Sequence, residues 1–305
     1  MGLLVEGKWV DQWYDTKESG GKFVRKDSSF RDWIGADDGK FPAEAGRYHL
    51  YVSLACPWAH RTLIFRQLKG LADLIGVTVV SPDMLDKGWA FSEPEPLYGF
   101  DYAHQLYTHA KSDYTGRVVV PILWDKKTLT IVSNESAEII RMFNSAFDEL
   151  TGNTDDYYPE DLRSAIDEVN DDIYHSINNG VYQCGFATTQ EAYDEAFQDL
   201  FSSLDRVEAR LSSNRYLLGE GITEADWRLF TTLIRFDAVY FGHFKCNHKQ
   251  IVDYPNMYRY LKDLYAQPNI KGTVNIKHIK RHYYYSHESI NPTRIVPQGL
   301  PEIFA

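Results

Sequence analysis

Cys56 lies in the run Tyr51-Val52-Ser53-Leu54-Ala55-Cys56-Pro57-Trp58-Ala59-His60-Arg61, and its setting decides what its sulfur can do. The residues before it, Tyr48–Val52, read as a strand, and the pattern from Pro57 to Leu68 reads as a helix. Pro57 suits the first helical position, where its missing N–H would be unpaired anyway. A thiol there meets unpaired amides and the positive end of the helix dipole, which favour the thiolate. The thiolate is the attacking species in thiol–disulfide exchange. Most cysteines are small buried hydrophobes instead, but the strand–Cys-Pro–helix order favours the nucleophile. Position 59 is alanine, so no resolving cysteine completes a Cys-x-x-Cys pair. The regenerating thiol has to come from elsewhere, and glutathione is the natural supplier.

Two further marks follow in order. Val120-Pro121 falls inside a predicted strand, where proline removes a ladder donor and belongs at an edge or turn. It reads either as an edge proline or as a cis bend that leaves the Val120 backbone free to pair with an extended peptide. Ser133-Asn134-Glu135-Ser136 starts a predicted helix directly after a strand. Ser136 and the local amides suit a carboxylate, and Glu135 suits an ammonium. The same string also serves simple helix capping.

The elements around these marks predict two domains. Residues 1–46 read as a polar, irregular extension that lies on a surface through its aromatics. Residues 47–150 read as strand, helix, a second strand at 77–80, a hairpin from 118–123 and 130–132, and a helix over 133–143. That order is an α/β unit with a mixed sheet. Residues 151–153 are a turn-rich linker, and residues 151–285 read as all-helical. Thr188 with Glu191 predicts a capping box, as does Thr223 with Asp226. Residues 286–305, with three prolines, read as an extended tail.

The chain has 305 residues and a net charge of −11, which argues against a general binder of nucleic-acid backbones. Three scattered cysteines fit a reducing cytoplasm rather than a disulfide framework. No stretch predicts a signal peptide or a membrane span. The 21 tyrosines outnumber the 16 phenylalanines, an excess that asks for a reason. The run His243-Phe244-Lys245-Cys246-Asn247-His248 matches no common zinc spacing and reads as a helix end with surface histidines. Lys277–His282 reads as a solvated basic helix end, or as local positive charge near an anionic ligand. Cys184, near Gly185, shows no helix-start pattern and does not read as a second nucleophile.

Taken together, the marks resemble the cytosolic glutathione transferase superfamily. That resemblance implies a thioredoxin-like N-terminal domain followed by an all-helical C-terminal domain. Ser53-Leu54-Ala55-Cys56-Pro57-Trp58-Ala59-His60-Arg61, Val119-Val120-Pro121-Ile122-Leu123-Trp124-Asp125, Ser133-Asn134-Glu135-Ser136-Ala137-Glu138-Ile139-Ile140-Arg141 and the run from Arg235 to Asn247 narrow it. They resemble the glutathionyl-hydroquinone reductases, the omega-like Xi class, over nearly the whole chain.

The resemblance implies roles. Cys56 would be the nucleophile, and Trp89 would cover glutathione. Arg117, Val118, Val119 and Val120 would hold the tripeptide's backbone and a carboxylate. Glu135 and Ser136 would bind its γ-glutamyl head. Tyr182 would contact the quinol and move a proton. Tyr240 and one of Tyr283, Tyr284 and Tyr285, with Tyr283 favoured, would sit near the thiol. Glutathione would be a co-substrate, no metal would be needed, and the protein would be a cytoplasmic homodimer. Two other readings share the Cys56 context: an omega-like thiol transferase acting on dehydroascorbate or mixed disulfides, and a ligand-binding protein that kept the fold without the chemistry.

Overall fold

The computed structural model describes residues 2–299, so the end of the predicted tail, residues 300–305, lies outside the described residues. The chain divides into two compact units, Met1–Trp13 with Asp27–Asp155, and Tyr14–Lys26 with Asp156–Ala305. Residues 1–46 are therefore shared between the units.

In the first unit, β1 (Leu3–Val5) and β2 (Lys8–Val10) form an antiparallel hairpin, and β1 also pairs with β5 (Gly116–Arg117). The start of the expected irregular extension is thus regular. Its turn needs Gly7: φ is +75°, and a Cβ there would collide with the Ser112 carbonyl oxygen.

The main sheet runs β4-β3-β6-β7: Gly76–Val79, Tyr48–Val52, Ile122–Asp125 and Thr130–Ser133. β3 is parallel to β4 and antiparallel to β6, and β6 is antiparallel to β7. The sheet is mixed because α1 (Pro57–Leu68) crosses between β3 and β4, whereas β6 and β7 form a hairpin. All five residues of β3 are buried, as expected for a central strand covered on both faces. α2 (Ala103–Ala110), α3 (Ser136–Ser145) and the short α4 (Asp148–Thr151) complete this unit. The hairpin strand begins at Ile122, later than the sequence predicts, because Pro121 lacks a ladder donor and residues 118–121 lie outside the ladder; the Val120–Pro121 peptide is cis.

The second unit contains α5 (Arg163–Ile173), a π-turn at Tyr174–Asn178, α6 (Gly180–Phe186) and α7 (Gln190–Ser213). α8 (Glu224–Arg235) leads into a second π-turn at Phe236–Tyr240, then α9 (Phe241–His243), α10 (Pro255–Tyr265) and α11 (Ile276–Ser286). Along α7, Leu200, Phe201, Leu204, Val207 and Leu211 are buried at the expected three- and four-residue spacing. Its cap is Thr189, which accepts from the Ala192 amide, not Thr188. Thr188 is drawn elsewhere: its hydroxyl pairs with that of Thr16, and its amide donates to Gly21 O.

Every residue of α8 is buried, so its end needs internal partners. Asp226 supplies them. Its carboxylate accepts from the Thr223 amide (2.7 Å), the Thr223 hydroxyl (3.1 Å), the Leu217 amide (2.9 Å) and the Tyr260 hydroxyl (3.0 Å). Burial works to raise the carboxyl's pKa, while these donors oppose it. Replacing Asp226 with Ala strands several buried donors and is expected to cost about 3 kcal/mol, read as a lower urea midpoint at unchanged slope.

Candidate active site

In the first unit, the buried strand β3 delivers the chain to Cys56, whose extended backbone (φ −74°, ψ 120°) stands immediately before Pro57, the first residue of α1. The Cys56 amide donates to Ser53 O, and its carbonyl accepts from the His60 amide in the first helical turn. The thiol points to the Val120 carbonyl oxygen at 3.5 Å. The nucleophile candidate and the cis-proline turn therefore adjoin, though 64 residues separate them in sequence. Cys56 is half-buried, whereas Cys184 and Cys246 are buried. Burial pushes the Cys246 thiol well above its ordinary range, which makes it a poor nucleophile.

The turn before Pro121 is held by a residue that sequence reasoning missed. The Tyr107 hydroxyl donates to Val119 O (2.8 Å) and accepts from the Val119 amide (3.2 Å) and from Asn134 Nδ2 (3.0 Å). Its phenol is pushed upward by burial, so it keeps its proton for that donation. Nothing in the α2 sequence marks Tyr107; only the fold brings it to residue 119. Val118 and Val120 are buried, and Val119 is partly exposed.

Glu135 caps α3. Its carboxylate accepts from the Ala137 amide (3.1 Å) and from the Ser28 hydroxyl (3.1 Å). Ser136, the next residue, is buried and 3.5 Å from Arg61 Nη1. The buried Arg61 guanidinium stacks over the Trp58 ring at 4.5 Å. Trp89 is also buried, and its carbonyl accepts from the Ala103 amide at the start of α2. Arg117 is anchored through its guanidinium to the Gln12 and Trp13 carbonyls. Any hold of Arg117 on a ligand carboxylate must share the guanidinium with those two carbonyls.

In the second unit, three elements bring three phenols together. Tyr182 lies on α6, Tyr240 ends the second π-turn, and Tyr283 lies on α11. The Tyr182 and Tyr283 hydroxyls are 2.6 Å apart, and those of Tyr240 and Tyr283 are 3.1 Å apart. Phe244 packs against all three rings. Burial raises the phenols of Tyr240 and Tyr283 well above their ordinary value, so both retain their protons. The neighbouring tyrosines go elsewhere: Tyr285 stacks on the Arg281 guanidinium at 3.4 Å, and Tyr284 is 3.5 Å from Ala238 O.

The histidine-rich run meets its expected setting in part: it ends a helix and His248 is exposed, but His243 is not. His243 is buried beside the same cluster, not at the surface, with its Nε2 3.1 Å from His287 Nδ1. The basic run of α11 splits: Lys277 is exposed as expected and His278 and Arg281 are half-buried, whereas Lys280 and His282 are buried. Its helical period turns these residues inward together with Tyr283. Among the described residues, no group of three or more His, Cys, Asp or Glu is placed to hold a metal ion.

Comparison with known proteins agrees over the whole length. A family model for the glutathione S-transferase N-terminal domain matches residues 55–146, and one for the C-terminal domain matches residues 190–263. The chain is 57% identical to glutathionyl-hydroquinone reductase YqjG of Escherichia coli (strain K12), covering 98% of this chain and 95% of that protein.

The chain belongs to the glutathionyl-hydroquinone reductase family of glutathione S-transferases.

It is also 53% identical to the family member PcpF of Sphingobium chlorophenolicum, over 98% of this chain and 96% of that one. Among solved structures, the glutathione-bound YqjG matches with a TM-score of 0.89 at 52% identity, covering 97% and 95% of the two chains. Glutathione transferase Xi from Phanerochaete chrysosporium matches with a TM-score of 0.90 at 54% identity, covering 93% and 99%. The reductase family's two-part fold, thioredoxin-like and then helical, is the architecture of this chain.

The buried histidines give this fold a pH dependence. Burial lowers His243 to about 3, and His287 also lies well below its ordinary value, so both are neutral in the native protein. Once unfolded, each takes up a proton near its ordinary value of about 6.5. Their stabilising contribution is therefore complete above about pH 6.5 and is lost as pH falls toward the depressed native value. In His243→Phe, the slope of unfolding free energy against pH between 4 and 5.5 should fall by about 1.4 kcal/mol per pH unit. Urea titrations across that range measure it.

Proposed function

We propose that this chain reduces glutathionyl-hydroquinones to hydroquinones, with glutathione as co-substrate and Cys56 as the nucleophile. The observation that carries the reading is the half-buried Cys56 thiol, set before the first turn of α1 and 3.5 Å from the Val120 carbonyl, in a chain 57% identical to a named reductase.

Glutathione binds along the turn before Pro121, with Val118, Val119 and Val120 offering main-chain groups to the tripeptide. Tyr107 keeps that backbone in register. Glu135 and Ser136 take the γ-glutamyl head: the carboxylate receives the ammonium, while the Ser136 hydroxyl and the amides of the first α3 turn receive the α-carboxylate. Trp89 covers the tripeptide, and Arg117 adds positive charge against a chain of net charge −11.

The aryl carbon–sulfur bond is the obstacle, because an aromatic carbanion is a poor leaving group. Tyr182 donates a proton to the ring carbon that bears sulfur, while the ring hydroxyl loses one, giving the keto tautomer. The Cys56 thiolate attacks the glutathionyl sulfur. The carbon–sulfur electron pair returns to the ring, which regains aromaticity as a phenolate and takes up a proton to become the hydroquinone. A mixed disulfide between Cys56 and glutathione remains. A second glutathione thiolate attacks its glutathione sulfur, releasing glutathione disulfide and the Cys56 thiolate. The absence of a cysteine at position 59 fits this external resolution. Tyr240 and Tyr283, which retain their protons, donate along the phenol chain toward Tyr182 oxygen and stabilise it after it gives up its proton.

The protein acts as a homodimer in the cytoplasm. The usual dimeric state of glutathione transferases and the scattered cysteines support that reading. Among the described residues, no helix is long and apolar enough to cross a membrane.

Cys56→Ser should lower turnover of a glutathionyl-hydroquinone by about 1,000-fold or more, and Tyr182→Phe by about 100-fold. Mass spectrometry during wild-type turnover should find one glutathione on Cys56. Undiminished hydroquinone release by the serine variant would refute the mechanism. Turnover of dehydroascorbate with none of the quinol conjugate would assign an omega-like thiol transferase instead.

A further inference from the structure

The segment Tyr14–Lys26, near the start of the chain, belongs to the helical unit and is fastened to it at several points. Gly21 O accepts from the Thr188 amide at 3.0 Å, the Thr16 and Thr188 hydroxyls meet at 2.9 Å, and the Thr189 hydroxyl donates to Gly20 O at 3.2 Å. The approach is close enough to demand glycine: at Gly21, with φ +89°, a Cβ would lie 2.6 Å from Thr189 Oγ1. Phe23 is buried against Phe186 at 5.3 Å and stacks on Tyr182 at 6.4 Å. Two residues later, Arg25 places its guanidinium carbon 4.6 Å above the centre of the Tyr182 ring. Its Nε donates to Asn179 Oδ1 at 3.1 Å, and Asn179 stands at the start of the helix that carries Tyr182. The cation is thus oriented by a side-chain hydrogen bond and a buried neighbouring ring.

From this arrangement we propose that Arg25 is a positioning residue for Tyr182: it holds the ring in place and stabilises the phenolate left when Tyr182 gives up its proton. The inference rests on the reductase reading above and assigns a role to a segment outside the thiol-bearing unit. The physical reason lies in the phenolate itself. Its negative charge spreads onto the ortho and para ring carbons, so a cation over the ring face is attracted more strongly by the ionised form than by the neutral one.

Other titratable groups face the same cluster. Tyr283 and Tyr240 retain their protons. Arg235, at the end of α8, bears on Tyr240 and Tyr283. His243 and His287 are neutral and pack against Phe244, and His282 packs edge-on against Tyr283. Cys184, on the same helix as Tyr182, and Cys246, 3.9 Å from Val181 O, are buried. Among the described residues, Arg25 places a guanidinium over the ring that carries the proposed acid.

The test separates ring chemistry from thiol chemistry. Arg25→Met and Arg25→Lys are each assayed for turnover of 2-glutathionyl-hydroquinone and for glutathionylation of Cys56 by glutathione disulfide, followed by mass spectrometry. Thermal midpoints establish that each variant is folded. Arg25→Met should lose about 10-fold or more in quinol turnover while Cys56 glutathionylation stays within about twofold, because only the first reaction needs the ring acid. Arg25→Lys, which keeps the charge, should recover most of the loss. The alkaline limb of the Arg25→Met turnover profile should move up by about one pH unit, because removing the cation disfavours the phenolate. The proposal is overturned if Arg25→Met turns over the quinol within about twofold of wild type, if Arg25→Lys is as impaired as Arg25→Met, or if the two reactions fall together. A wild-type protein that is glutathionylated at Cys56 yet never releases hydroquinone overturns the underlying reductase reading instead.

Discussion

The thioredoxin-like unit is organised around one close approach, that of the Cys56 sulfur to the Val120 carbonyl. The proposed disulfide exchange needs its sulfur atoms nearly in line, so the Cys56 thiol and the backbone that would align an incoming peptide must share one frame. β3 and β6 provide that frame: they are adjacent in the sheet, β3 ends four residues before Cys56, and β6 begins just after Pro121. A slip of one residue in their pairing would turn every side chain of the strand to the opposite face. The wholly buried β3 makes such a slip costly. Tyr107 then fixes the turn itself, with one hydroxyl serving both the amide and the carbonyl of Val119.

The helical unit solves a different problem, that of keeping phenols protonated and aimed at one another. Tyr182, Tyr240 and Tyr283 come from three separate elements, and two π-turns precede or carry two of them. A π-turn adds a residue to a helix and so rotates everything after it. Burial supplies the chemistry: in a medium that disfavours charge, Tyr240 and Tyr283 remain donors. The same burial keeps His243 and His287 neutral, which ties the stability of this region to pH. The tyrosine excess in the composition thus has a partial explanation, since a phenol joins a large apolar face to a hydroxyl that finds a partner inside.

Much of the architecture was legible. Tyr48–Val52 and Pro57–Leu68 were bounded by strong local signals, a β-rich run and a proline at the first helical turn, and the structure places those elements at the same residues. The Thr223–Asp226 capping box was legible for the same reason: both partners lie within four residues. Signals that depend on distant neighbours misled. Thr188 had the spacing of a cap, but residues 16–21 claim it, so the helix is capped one residue later by Thr189. His243 carried a polar label and was expected at the surface, yet neighbouring aromatic rings and His287 bury it.

By itself, the sequence determined the strand–helix–strand and hairpin order of the main sheet, the cysteine before a helix and the missing second thiol beside it, because each depends on residues adjacent along the chain. Only the tertiary structure decided that the Cys56 thiol faces Val120, that Tyr107 clamps the turn, that Tyr283 rather than Tyr284 or Tyr285 joins Tyr182 and Tyr240, and that Arg25 lies over the Tyr182 ring. These pairs are separated by 12 to more than 100 residues, and no local propensity encodes such a meeting. It emerges when strands take their register and helices bury their apolar faces, since the core admits one close-packed arrangement and the polar groups carried inward must find one another there.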